Sequence, residues 1–148
     1  MRTQFLTVGV CATLALCGPA WAGEASSRVF ADCAAQSSNG SDSSEHQLLR
    51  CAGLQLDALE QTHTEAYKAA LERARRYQAA KAVITSGQKP SDTLLREAQR
   101  KWIEFRDANC AVHVDATSAG GSARTEDTLA CRIDTVSLRT EELNQLYR

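Results

Sequence analysis

Proline is nearly absent: the 148 residues contain two, and only Pro90 lies beyond the first 22 positions. Proline usually makes up about 5% of a chain, so few breaks are encoded and long helices are expected. Charge of one sign is lacking too. Lys and Arg number 17 against 18 Asp and Glu, a formal net charge of -1. That balance excludes the basic surface a nucleic-acid partner needs. Aromatic residues amount to 5%, and no basic run interleaves with them as a nucleic-acid groove would require. Arg73, Arg75 and Arg76 read instead as a solvated helix face. No segment alternates apolar and polar residues like a half-buried strand. The length suits one domain.

The residues of enzyme chemistry are equally thin. His46, His63 and His113 are scattered, and none has the i,i+4 histidine partner of a zinc helix. There is no C-x-x-C redox pair, and Gly120-Gly121-Ser122 is not the G-x-S-x-G of a nucleophile elbow. Glu104 and Asp107 are neighbours on a helical surface, but Arg100 and Arg106 lie beside them. A glycosidase acid needs an apolar pocket that raises its pKa, and nothing supplies one. His63 on an apolar stripe reads as a partly buried structural residue. The expectation is a protein without catalytic activity, metal or cofactor.

What is present begins with an address. Arg2 precedes an uncharged stretch whose most apolar part runs from Phe5 to Cys17, and Ala20-Trp21-Ala22 follows as a small-x-small site. This is the grammar of a secretory signal peptide over residues 1–22, with cleavage expected after Ala22. The apolar part is shorter than the roughly 20 residues a span requires. A lipid anchor at Cys17 is disfavoured, because Leu16 stands where a lipobox wants a small residue. The remaining domain, residues 23–148, is expected in the periplasm or outside the cell. Losing Arg2 leaves it at a formal charge of -2.

Three helices are expected in that domain. Ser44 and Gln47 have capping-box spacing, and Leu49, Ala52, Leu56, Leu59, His63, Ala66 and Ala70 recur at steps of three and four. Ser86 to Pro90 is a turn by composition. Ser91 is the expected cap of a second helix with Asp92 in its first turn. Its inner stripe is read as Leu95, Ala98, Trp102, Phe105, Asn109 and Val112, which puts this aromatic-bearing helix at the centre of the core. Ser118 to Ser122 forms a loop. A third helix is then capped by Thr125 and lined inside by Leu129, Ile133, Val136, Thr140, Leu143 and Tyr147. The fold class is all-α, a small bundle of about three main helices.

Four cysteines remain in the exported part: Cys33, Cys51, Cys110 and Cys131. An even count in an exported chain reads as a disulfide framework, and four cysteines permit three pairings. Cys33–Cys51 and Cys110–Cys131 are the favoured pairs, since each would fasten a non-helical segment to a helix end.

The second helix carries a resemblance. Ala98-Gln99-Arg100-Lys101-Trp102-Ile103-Glu104-Phe105-Arg106-Asp107-Ala108-Asn109-Cys110 resembles the AQRxWxxFRDAxC signature of the LprI-type lysozyme-inhibitor family. Leu56-Asp57, Leu59 and Tyr67 resemble its LDxxLNxxY segment, with Glu60 where asparagine is usual. Gly120-Gly121-Ser122, Cys131, Thr135, Arg139 and Leu143 match its closing pattern. The resemblance implies a small exported helical domain with intrachain disulfides and a protein partner, lysozyme. Trp102, Phe105, Arg106, Asp107 and Arg139 are read as mainly structural. Arg106 lies i,i+4 from Trp102, where a guanidinium reaches the indole face, and Arg139 is a candidate partner for Asp107. The candidate target-contact loop holds Gly120, Gly121, Ser122 and Arg124. A different reading stays open, a cell-envelope interaction module such as an adaptor or an immunity protein with another protein partner.

Overall fold

The computed structural model describes residues 23–37, 44–81 and 88–148. The expected cleavage site, Cys17 and most of the serine-rich linker lie outside these residues. The described residues form four helices rather than three: α1 Glu24–Ser37, α2 Ser44–Ala80, α3 Ser91–Thr117 and α4 Ser122–Gln145. No strand occurs among them. At a rise of 1.5 Å per residue, α2 alone is about 55 Å long.

Helix α1 is the unexpected one. Its 14 residues include four alanines and are compatible with a helix, but so short a segment is marginal alone, and neighbours supply the stabilisation. Asp134 of α4 accepts from the Ser26 N–H and from Ser26 Oγ, both at 2.8 Å. A carboxylate there caps the first turn and meets the positive end of the helix dipole. Val29 and Phe30 pack on Leu56, Ile133 and Val136. The cap lies 108 residues away in the chain, so local sequence gives no sign of it.

Two other helix ends are held the same way. Ser91 does not cap α3. It is the first helical residue, behind Pro90, and its N–H and hydroxyl both donate to Gln78 Oε1 of α2, at 3.2 and 3.0 Å. Arg73 is not merely solvated: its guanidinium donates to Leu146 O at 2.9 Å and Leu143 O at 2.6 Å. A cation there satisfies the last carbonyls of α4. Helix α4 itself begins at Ser122, behind Gly121, so Thr125 is not its cap.

Helices α2 and α4 form the most extensive pairing, and α1 and α3 each pack against both of them without touching one another. One core cluster joins Leu56, Ile133 and Val136; the other joins Ala66, Ala70, Leu71, Ala74, Leu95 and Leu143. The order of these residues makes α2 and α4 parallel and sets α3 antiparallel to both. The expected stripes of α2 and α4 are the observed ones. That of α3 is not. Its inner face runs Ser91, Leu95, Gln99, Trp102, Arg106, Cys110 and Val114, while Ala98 and Asn109 are exposed. Phe105 is 60% and Val112 70% exposed. Helix α3 therefore flanks the core instead of filling its centre. The disulfides pair as expected: Cys33–Cys51 ties α1 to α2 and Cys110–Cys131 ties α3 to α4, with Cα atoms 5.6 and 5.7 Å apart.

Candidate functional site

Between the two apolar clusters lies a polar layer, one residue from each of the three long helices: His63, Gln99 and Thr140. All three fall on inward stripes by helical spacing, and the register in which the helices pack brings them to one level. Arg139 Nε donates to Gln99 Oε1 at 3.3 Å. A guanidinium can only donate, which turns the Gln99 amide group toward His63 Nε2, 2.7 Å away. His63 Nε2 therefore accepts, and its proton sits on Nδ1, which faces Thr140 Oγ1 at 3.3 Å. Thr140 passes its own hydrogen to Val136 O at 2.7 Å. The relay runs one way and leaves no member unsatisfied.

Trp102 caps this layer toward solvent. His63 stacks on the indole with ring centroids 4.9 Å apart. The guanidiniums of Arg106 and Arg139 lie 5.4 and 5.9 Å from the same ring. Burial, then the charges of Arg139 and Arg106, hold the His63 pKa below 6.5. An imidazolium here would desolvate beside two cations. The layer opens on a cleft of about 250 Å³ between α2 and α3, lined among others by Glu60, Tyr67, Trp102 and Arg106.

Arg106 fixes the edge of the cleft. It reaches Asp107 Oδ1 at 2.8 Å and Glu60 Oε1 at 3.7 Å, and Arg132 of α4 holds the same Asp107 oxygen at 3.3 Å. Partial burial would raise the Asp107 pKa, but the hydrogen bond and charge of Arg106, with Arg132, outweigh it and hold the carboxyl below 3.8. That is the reverse of what a glycosidase acid requires. Among the described residues no group of histidine, cysteine and carboxylate side chains could hold a metal ion. None of the described helices is long and apolar enough to cross a membrane.

The family model for lysozyme inhibitor LprI matches residues 25–143. The chain belongs to the LprI lysozyme-inhibitor family. No curated protein and no solved structure matches it.

In this LprI-family chain the signature residues divide. Trp102, Arg106 and Arg139 come together around the polar layer, and Asp107 joins them through Arg106. The expected Asp107–Arg139 contact is replaced: Arg132 takes Asp107, and Arg139 bonds Gln99 and Glu142. Phe105 stands apart on the outer face of α3. Gly120 and Gly121 form the α3–α4 turn with φ of 93° and 62°, conformations that favour glycine. Ser122 and Arg124 are not loop residues but sit in the first turn of α4. Exposed Arg124 lines a shallow hollow with Asp107 and Arg132 above the Cys110 disulfide. Sequence reasoning missed Gln99, Glu60 and Arg132. A glutamine at i-3 from Trp102 and i-7 from Arg106 was the available signal, since all three share one helical face. At Glu60, where the family pattern has asparagine, this chain places a carboxylate opposite Arg106.

Proposed function

We propose that the chain is an exported inhibitor of lysozyme-type muramidases, released by cleavage after Ala22, that acts by occluding the sugar cleft of its target. The family match over residues 25–143 carries this reading. Two disulfides suit an oxidising compartment outside the cytoplasm. Inhibition of this kind needs no chemistry from the inhibitor, only a rigid body that fills a groove.

The part placed in the groove is the Ser118–Gly121 turn together with Arg124. A Cβ built on Gly120 or Gly121 would meet nothing within 4 Å, so the turn projects into open space and its backbone is free to approach a surface. Arg124 beside it offers a fork of donors complementary to the paired carboxylates of a muramidase. The Cys110–Cys131 bond anchors both sides of the turn, which lowers the entropy lost on docking. Lysozymes are commonly basic, and a charge of -2 on the exported domain adds weak steering toward them.

The purified protein is expected to abolish cell-wall lysis by at least one lysozyme at micromolar excess. Full activity of a panel of lysozymes under those conditions would overturn the reading. Arg124→Glu is expected to weaken inhibition about tenfold or more without moving the melting temperature, because the side chain is exposed. Undiminished inhibition by that variant would displace the turn as the contact while leaving the inhibitor reading intact.

A further inference from the structure

We propose that the outer face of α3 is a self-association surface, on which a second copy of this chain docks its own α3 in antiparallel register. Leu94, Ala98, Phe105 and Val112 are spaced four, seven and seven apart. At 3.6 residues per turn they fall within about 40° of arc on one side of the helix. Leu94 is 44%, Phe105 60% and Val112 70% exposed, and Ala98 is exposed as well. This stripe is separate from the inward one through Leu95, Trp102 and Val114, so α3 carries two apolar faces and the bundle covers one.

The distribution of residues along the stripe selects the occupant. Leu94 and Val112 lie equally far on either side of the level of residue 103. So do Lys101 and Phe105. A two-fold axis at that level sets Leu94 against Val112 of the second copy, both on the same line of the helix. It brings the Lys101 ammonium over the Phe105 ring of the second copy, a favourable cation–π placement. The flank is complementary too. Lys101 and Glu104 are both exposed, and the same register puts each Lys101 beside the Glu104 of the other copy, twice over. A parallel arrangement would oppose Lys101 to Lys101 and Glu104 to Glu104. Self-complementarity of this kind is what a two-fold dimer interface requires.

A single helix face is narrower than the roughly 800 Å² per partner of a standard stable interface, so the association is weak and concentration-dependent. The proposal stands independently of the muramidase reading.

Sedimentation velocity and light scattering on protein expressed from the full chain test it. The mass is expected to climb from monomer toward dimer as concentration rises. Phe105→Glu should weaken association at least tenfold with unchanged circular dichroism and melting temperature, since the ring is 60% exposed and belongs to neither core cluster. Lys101→Glu should weaken it by setting like charges together, and Lys101→Glu combined with Glu104→Lys should restore it. A monomer at every concentration, a dimer indifferent to Phe105→Glu, or a charge swap that fails to rescue would each overturn the proposal. So would a monomeric wild type whose lysozyme binding is lost in Phe105→Glu, which would give the face to the target instead.

Discussion

Arg139 has hydrogens to donate and no lone pair to offer, and that one-sidedness sets the proton positions down the whole polar layer. With Gln99 Oε1 engaged by Arg139, the amide hydrogens face His63, and a proton added to His63 Nε2 would point at another donor. Glu60, which faces Arg106 from α2, is the carboxylate on the cleft side, and it is engaged by that arginine. The His63 pKa is held below 6.5 in the folded protein. The unfolded chain then binds more protons in the window below 6.5, so stability rises with pH there. The His63 contribution is present above 6.5 and lost as pH falls toward the depressed folded value. The melting temperature is expected to drop between about pH 7 and pH 5, and His63→Gln, which retains one donor and one acceptor, should flatten that slope. An identical slope in the variant would assign the drop to other groups. Asp107 acts in a separate window: with its pKa held below 3.8, its contribution is lost only below that value. Arg106, 13% exposed at its side chain, bridges Glu60 and Asp107 and covers Trp102. Arg106→Ala should cost about 1–2 kcal/mol in chemical denaturation, within the usual range for truncating a largely buried, ion-paired side chain. An unchanged midpoint with lost target binding would make Arg106 an interface residue.

The helices owe their ends to one another. Asp134 caps α1, Gln78 takes the first donors of α3, and Arg73 closes α4. Each partner comes from a different helix, so a search for caps in the adjacent sequence finds the wrong residues, Ser91 and Thr125, or none. The stripes of α2 and α4 were legible because each has one apolar face. Helix α3 has two, and spacing by threes and fours fits both equally well. The stripe of Leu94, Ala98, Phe105 and Val112 is apolar throughout, whereas Gln99 and Arg106 interrupt the inner face, where partners across the bundle satisfy them. The disulfides act at this scale as well. Cys110–Cys131 closes a loop with a sequence separation of 21, worth about 3 kcal/mol in the chain-entropy model. Replacing both cysteines with serine should lower the denaturation free energy by about that amount. A loss below roughly 1 kcal/mol would show that α3 and α4 hold the turn without the bond.

For the molecule as a whole, two parallel helices, α2 and α4, form the spine, and a satisfied polar layer divides its core into two apolar halves. Such a layer favours one register of the three long helices over slipped alternatives, since a shift by one turn would bury His63 or Gln99 without partners. The small apolar side chains at Ala66, Ala70 and Ala74 bring the backbones close, and the two disulfides fasten the flanking helices to the spine. The sequence by itself determined the all-α class, the presence of the three long helices and the family, and it favoured one of three cysteine pairings that the structure then selected. These rest on spacing, on the scarcity of proline and on a contiguous signature, all of which are local. Only the tertiary structure decided that a fourth helix forms at Glu24–Ser37, which face of α3 turns inward, and how Arg139, Gln99, His63 and Thr140 connect. Those outcomes depend on hydrogen bonds and charges between residues as much as 108 positions apart, and such energies exist only once the helices have met.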